Sequence, residues 1–249
     1  ELLRVRPFAS VRELQSALDV SASTIRRDID RLDEMHQARK VYGGVATLDG
    51  LIVPTLSARP FDENLGLAVE AKHAIAKAAV KLVRDGDRLI VHAGSTCYAL
   101  GVLLAQRNIT ICTNSVPLAA FLGENGTCQL SVSCGAVHRE PGTFYDPGAA
   151  QFPFYASKLF LGAQGVGAEG LLESHPLIVK LTGMFSNWVD EIVVLVDSRK
   201  FTIHARILAL PFGRISTIVT DENIDDAHAK MLEDQGITLR IAQSDGNIS

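Results

Sequence analysis

The chain of 249 residues is long enough for two domains or one large one. Hydrophobic residues make up 47% and charged residues 21%, and Gly, His, Asp or Lys interrupts every apolar stretch before it reaches membrane-spanning length, so no membrane partner is expected. The formal net charge of −4 excludes a surface coated in positive potential; residues 1–50 carry eight Arg or Lys and eight Asp or Glu, so any binding to a polyanion has to come from cations clustered on one face.

Glu1 to Val5 reads as the end of a helix whose beginning lies upstream, and the native N-terminus is expected to precede Glu1. Ser10 and Glu13 are spaced as a capping box, opening a helix with Val11, Leu14 and Leu18 on its apolar side. Asp19 and Val20 make a short turn. Ser21 caps a second helix, Ala22 to about Leu32, on which Ile25, Ile29 and Leu32 share one face. Helix, short turn and helix is the geometry that sets a second helix into a DNA major groove.

The exposed side of that second helix carries the chemistry. Ser21, Ser23 and Thr24 lie at its N-terminus, where hydroxyls and unbonded N–H groups suit phosphate. Arg26 and Arg27 follow, able to clamp a phosphate or pair with a guanine edge. Asp28 is expected to orient an arginine, because a carboxylate is repelled by phosphate. Arg39-Lys40-Val41-Tyr42-Gly43-Gly44-Val45 predicts a β-hairpin, or wing, with Arg39, Lys40 and Tyr42 placed for the backbone or minor groove. A small helical subdomain with solvated charges is the rival reading. The capped first helix, the Ser-x-Ser-Thr-Ile-Arg-Arg-Asp run and the basic hairpin agree against it.

Leu48 to Leu67 lacks a clean period and holds Pro54 and Pro60. Residues 51–68 are expected to be a linker between a winged helix-turn-helix in residues 1–50 and an α/β effector domain in residues 69–249. There the pattern alternates. Helices are predicted at Val69–Val83, Cys97–Ala105, Leu177–Trp188 and Asp225–Glu233. Strands are predicted at Leu89–Val91, Ile109–Cys112, Gln129–Val132, Leu159–Leu161, Ile192–Val196, Ile215–Val219 and Ile237–Arg240. Such alternation means a mostly parallel sheet covered on both faces.

In such sheets ligands bind at the carboxyl ends of the strands. Gly94-Ser95-Thr96 follows one strand and opens a helix, offering close backbone approach, two hydroxyls and a helix N-terminus. Thr113-Asn114-Ser115 follows the next strand, and Asp197-Ser198-Arg199-Lys200 a later one. Hydroxyls, amides and an ammonium together make a phosphate site. Each loop alone is as readily a helix cap or a turn; three at three strand ends favour a crevice. Cys97, Cys112, Cys128 and Cys134 form no CxxC pair and have no His-x-x-x-His beside them. They read as cytoplasmic thiols, mostly buried; neither a metal nor a cofactor is expected.

The run Ser-x-x-Thr-Ile-Arg-Arg-Asp followed by Arg-Lys-Val-Tyr-Gly-Gly resembles the DeoR family of bacterial repressors, with Tyr42 where the family usually has His. The resemblance continues through Glu70-Ala71-Lys72, Gly94-Ser95-Thr96, Thr113-Asn114, Cys134-Gly135, Gly162-Ala163-Gln164-Gly165 and Asp197-Ser198-Arg199-Lys200-Phe201. It implies a sensor domain similar to ribose-5-phosphate isomerase and a phosphorylated sugar effector. It also implies Lys72, Gly94, Ser95, Thr96 and Lys200 around the phosphate. The sugar contacts it implies are Thr113, Asn114, Cys134, Gly135, Gln164, Gly165 and Asp197. Gln164 replaces the usual acid and Cys134 a glycine, pointing to an effector with a different hydroxyl pattern. His92, Tyr98, His138, Tyr145, Glu173 and His175 are further candidates for sugar contacts, each as readily structural.

The function expected is a DNA-binding regulator, a repressor on family resemblance, whose operator affinity is set by the sugar phosphate. A symmetric reader of paired half-sites is expected to be a homodimer or homotetramer. The alternative is a sugar-phosphate isomerase with an accessory DNA-binding domain. Isomerisation needs a carboxylate base beside the substrate carbon, and Gln164 cannot take a proton, although Glu169 and Glu173 lie nearby. No catalytic residue is therefore assigned.

Overall fold

The computed structural model describes residues 8–18, 20–35, 38–41, 44–46, 61–133, 135–138, 142–146, 154–203, 205 and 207–243. The expected helix end at Glu1 to Val5, the wing residues Tyr42 and Gly43, the linker up to Pro60, and Cys134 lie outside them, as do the side chains of Arg39 and Lys40. The chain divides into two compact units, Glu1–Leu56 and Ser57–Ser249.

The first unit begins with strand β1 (Phe8–Ser10), continues through helices α1 (Val11–Leu18) and α2 (Ala22–Glu34), and closes with strands β2 (Arg39–Val41) and β3 (Gly44–Ala46). The hairpin is antiparallel, Val41 opposite Gly44, and β1 adds to its other side, Phe8 opposite Ala46, giving the order β1-β3-β2. Leu14, Ile25, Ile29, Ala38 and Val45 form its core, with Val11 and Leu32 packed against it. Those are the apolar stripes of both helices meeting the inward face of the hairpin. Ser21 caps α2, its hydroxyl accepting from Thr24 N at 3.2 Å. Strand β1 was not anticipated. Three residues carry no readable period, and its partner lies far along the chain.

The second unit opens with α3 (Phe61–Leu65) and α4 (Val69–Val80), then strand β4 (Arg88–Val91), α5 (Ser95–Leu104), β5 (Thr110–Thr113), α6 (Val116–Asn125) and β6 (Gln129–Val132). The hairpin β7 (Ala136–His138) and β8 (Thr143–Tyr145) follows. Next come β9 (Ala156–Leu161), β10 (Gly165–Val166), β11 (Gly170–Glu173), α7 (Pro176–Ser186) and β12 (Val189–Leu195). A 3-10 turn, Ser198–Thr202, leads to β13 (Ile207–Pro211), β14 (Thr217–Asp221), α8 (Asp226–Asp234) and β15 (Thr238–Ala242). Helix α3 lies within the stretch expected to be linker. Its Phe61 ring packs edge-on against Tyr98 of α5, centroids 5.3 Å apart, a contact no local pattern announces.

Seven parallel strands form the central sheet in the order β15-β14-β12-β9-β4-β5-β6. Side chains alternate between its faces. Leu89, Val91, Phe160, Val193 and Leu195 point to one face, where Ile75 and Ala79 of α4, Leu100 of α5 and Leu118 of α6 cover them. Ile90, Leu159, Leu161, Ile192 and Val194 point to the other, under Leu181 and Phe185 of α7 and Leu232 of α8. Beside this sheet lies a small antiparallel one, β10-β11-β13, which the sequence did not announce because β10 and β11 are short and open on glycine and β13 joins them from far along the chain.

The strand order determines where a site can form. From β4 the chain moves outward to β5 and β6, then returns to the opposite side of β4 with β9 and moves away through β12, β14 and β15. Connections on the two sides diverge to opposite directions, and a crevice opens at the carboxyl ends of β4 and β9.

Candidate functional site

A cavity of about 300 Å³ occupies that crevice. Its walls are the loop after β4 (His92 to Cys97), the loop after β9 (Gly162 to Gln164), the loop after β12 with its 3-10 turn (Asp197, Arg199, Lys200), and Lys72, Glu173 and Ile178 from α4, β11 and α7. Lys72, Gly94, Ser95, Thr96, Gln164, Asp197 and Lys200, all named from sequence, are thereby brought together.

Helix α5 starts at Ser95, two residues earlier than its apolar pattern indicated, so Ser95 and Thr96 stand in the first turn. Gly94 makes this possible: it is the N-cap at φ 142°, a conformation that disfavours residues with a Cβ. No side chain caps this helix end. Its amides face the cavity beside two hydroxyls.

Three cations share the site. Lys72 is buried, and burial lowers its ammonium from 10.5 to about 8; Asp197 pulls it back up, while Arg199 and Lys200 push it further down. Its Nζ donates to the backbone carbonyl of Asn64 in α3. Asp197 is buried and accepts two bonds from Arg199, Nε at 2.7 Å and Nη2 at 3.1 Å. The turn that carries these groups is fixed from behind. Asp221, at the end of β14, accepts from Ser198 N at 2.7 Å, Ser198 Oγ at 2.9 Å and Asn223 Nδ2 at 2.9 Å. Burial pushes the Asp221 carboxyl up, but these bonds outweigh it and hold it below its ordinary value. Arg199 was overlooked beside Lys200. In a 3-10 turn both neighbours reach the same cavity.

The cavity lining also holds a second carboxyl, Glu173. Glu173 Oε1 accepts from Gln164 N at 3.1 Å. Burial pushes Glu173 up to about 7, against the backbone bonds of Gln164 and Ser174 and the charge of Lys200. Cys97 also lines the cavity, but burial raises its thiol to about 12, and its Sγ donates to Phe160 O. It is an inert wall.

Thr113 and Asn114, expected to touch the sugar, are fully buried and do not line the cavity. Their strand, β5, lies one place away from the reversal. Thr113 Oγ1 donates to Val91 O at 2.6 Å and accepts from Ser115 N at 3.0 Å. Asn114 Oδ1 accepts from Ala93 N at 2.8 Å, and its Nδ2 faces His92 Nε2 at 3.4 Å. His92 Nδ1 in turn meets Ala93 O at 3.1 Å. Burial lowers His92 to about 4, so the ring is neutral with its proton on Nδ1. These residues brace the anion loop from below.

Gly165 and Gly135 are also outside the cavity lining. Gly165 lies where a Cβ would come within 2.3 Å of Ile203 O, so it permits the small sheet to pass close to the 3-10 turn. Gly135 stands against the backbone of Tyr145 in the β7–β8 hairpin. His138 meets Tyr145 and His175 edge-on there, its ring centroid 5.0 Å from that of His175, and His175 caps α7. Tyr98 packs between Phe61 and Phe121.

In the first unit, Ser23, Thr24, Arg26 and Arg27 are exposed on α2, opposite Ile25 and Ile29. The exposed Ser21 hydroxyl is engaged in its cap with Thr24 N and lies 2.7 Å from Ser23 Oγ. Arg31 was overlooked: it is exposed and falls one turn beyond Arg27 on the same stripe as Ser23, the i, i+4 spacing that marks it. Strand β2 carries Arg39 and Lys40 opposite Ala46 and Val45.

Residues 67–222 match the model of the DeoR C-terminal sensor domain, and residues 1–50 that of the DeoR-like helix-turn-helix domain. The HTH-type transcriptional regulator UlaR of Shigella dysenteriae serotype 1 is 28% identical over 240 residues, covering 96% of this chain and 94% of that protein. UlaR of Escherichia coli strain K12 is similar to the same extent. Among solved structures, ribose 5-phosphate isomerase A of Methanocaldococcus jannaschii is 21% identical, with a TM-score of 0.38 over 56% of this chain and 55% of that one. Initiation-factor subunit eIF2B delta of Chaetomium thermophilum is 18% identical, with a TM-score of 0.41 over 54% of this chain and 49% of that one. The chain thus spans about half the length of each of these two structures.

Proposed function

The chain belongs to the DeoR family of transcriptional regulators, and from that premise we propose that its crevice is the effector site for a phosphorylated sugar that sets operator affinity. One observation carries the reading: Ser95 and Thr96, Lys72, and Lys200, from three separate places in the chain, line one cavity at the strand reversal. The uncapped N-terminus of α5 and the two hydroxyls suit phosphoryl oxygens, and the ammonium groups neutralise them. Gln164 and Asp197 suit the hydroxyls of a sugar.

On the DNA side, Ser23, Thr24, Arg26 and Arg27 of α2 and its cap Ser21 are assigned to the major groove and flanking phosphates, with Arg39, Lys40 and Tyr42 on the backbone or in the minor groove. The first fifty residues are neutral, so a single reader gains little non-specific affinity. Pairing two copies on two half-sites raises avidity, which supports a homodimer or homotetramer. Repression relieved by the effector is the direction adopted, with a coupling of about 1–3 kcal/mol.

The test is a thermal-shift and calorimetric series with inorganic phosphate and a panel of pentose and hexose phosphates, followed by operator gel shifts with the best ligand. A ligand that raises the melting temperature and changes operator affinity is the expected result. If none binds, the assignment fails. Glu173, an acid within the cavity, keeps sugar-phosphate isomerisation as the second reading. Product formation from pentose phosphates would establish it.

A further inference from the structure

We propose that α3 reads whether the effector site is filled: a phosphoryl group held by Lys72 keeps α3 docked on the cavity, and its departure releases the helix. The inference rests on the effector reading above and names how that site is read.

A helix of five residues does not hold itself together in water, so α3 (Phe61–Leu65) stands on what it touches. At its first residue the Phe61 ring meets Tyr98 of α5 edge-on, centroids 5.3 Å apart. At its other end the Asn64 carbonyl accepts from Leu67 N at 3.3 Å and from Lys72 Nζ. The ammonium thus caps the negative end of α3. Asn64 and Leu67 also line the cavity, while Leu65 and Gly66 are exposed. One wall of the site is therefore a marginal helix, and the group that caps it belongs to the site.

The link from α3 to α4 favours release. Ala68, the N-cap of α4, has φ 48° and ψ 47°, and among the described residues no other non-glycine has positive φ. An alanine in the left-handed region is strained and persists only where its surroundings impose it. The contacts of α3 impose it from one side and α4 from the other. Loss of the α3 contacts lets Ala68 relax and α3 leave.

Lys72 decides between the two states. Among the described residues the Asn64 carbonyl is the one hydrogen-bond partner of its ammonium, and it uses one of three donors. Phosphoryl oxygens can take the others without competing for that bond. Without a ligand, the Asn64 bond alone must order a long side chain and hold its charge away from water. A phosphate offsets both costs and leaves the bond to α3 in place. By linkage, the factor by which phosphate favours docking is the factor by which docking favours phosphate. In chain order α3 is the first described helix after the DNA-reading unit ends at Leu56, so a change in its docking passes along the backbone toward that unit.

The experiment uses the full chain with inorganic phosphate and with whichever of ribose 5-phosphate and glucose 6-phosphate binds more tightly. At saturation, hydrogen exchange in peptides spanning residues 61–68 should slow by at least about threefold. Leu65→Pro removes the last turn of α3 and turns Asn64 out of helical conformation, yet it replaces an exposed side chain that does not line the cavity. It should weaken phosphate binding about three- to tenfold in calorimetry, whereas Leu65→Ala keeps wild-type affinity. Both variants are checked for wild-type exchange in the central strands. In gel shifts Leu65→Pro should bind operator as the wild type does and lose the response to saturating sugar phosphate. Unchanged or faster exchange at residues 61–68 in wild type with ligand bound, wild-type phosphate affinity in Leu65→Pro, equal weakening by Leu65→Ala, or a retained operator response would each overturn the assignment. Failure of inorganic phosphate and both sugar phosphates to bind the wild type would instead remove the effector site itself.

Discussion

Asn114 Oδ1 accepts a hydrogen bond from Ala93 N at 2.8 Å, tying the end of β5 to the loop that follows β4. With His92 bonded to Ala93 O and facing the Asn114 amide, both polar groups of the Ala93 backbone are held. The amides of Ser95 and Thr96 inherit their position from this bracing.

Asn114→Ala should therefore affect two readouts at once. Removing the side chain leaves the half-buried Ala93 amide without its partner, at a cost of about 1 kcal/mol in stability by denaturant melts. Phosphate affinity should fall as well, because the loop loses its fixed geometry. A variant destabilised to this degree but with unchanged phosphate affinity would separate Asn114 from the site.

Lys72 gives a pH signature. An anion binds the protonated ammonium, which in the empty site loses its proton near pH 8. Above that pH, where the ligand is already a dianion, phosphate affinity should decline by up to about tenfold per pH unit. Affinity unchanged to pH 10 would show that Lys72 does not meet the ligand. The same depressed value means that the empty protein carries a penalty below pH 8 that is relieved as pH rises toward the unfolded value. Lys72→Met should accordingly raise stability at pH 7 by about 1–3 kcal/mol while abolishing phosphate binding.

Lys200→Ala should leave operator binding intact and remove the response to the effector. Gel shifts with and without the best sugar phosphate give the comparison; a normal ligand response would take Lys200 out of the site.

Arg27→Ala should weaken operator binding by about 1–3 kcal/mol with ligand affinity unchanged, and Arg31→Ala should act in the same direction. Operator affinity equal to the wild type in both variants would refute the placement of α2 as the reading helix.

The sequence revealed the alternation of the large sheet because each strand carries apolar residues toward both faces, as Leu89 and Ile90 do, and each covering helix keeps an apolar stripe. It revealed the anion loop because Gly94-Ser95-Thr96 is a local motif. Strand order was not visible, since it depends on pairings such as Ile90 with Leu159 that are distant in the chain. Without that order every strand end looked equivalent, and Thr113 and Asn114 were expected to face the ligand. Lys200 was readable and Arg199 was not, because the 3-10 turn that sets both on the rim of the cavity is held by Asp221, a residue from another strand. Asn64 had no signal at all within a stretch read as linker.

The crevice at the reversal takes its walls from chain segments near residues 64–72, 92–97, 162–178 and 195–203. No contiguous fragment shorter than that span can assemble it. An occupant acts as a rivet through the middle of the fold, joining the half of the sheet built before β9 to the half built after it. Saturation of the site should consequently slow hydrogen exchange in β4 and β12 together, and splitting the chain between them should cost ligand binding before it costs either half its helices.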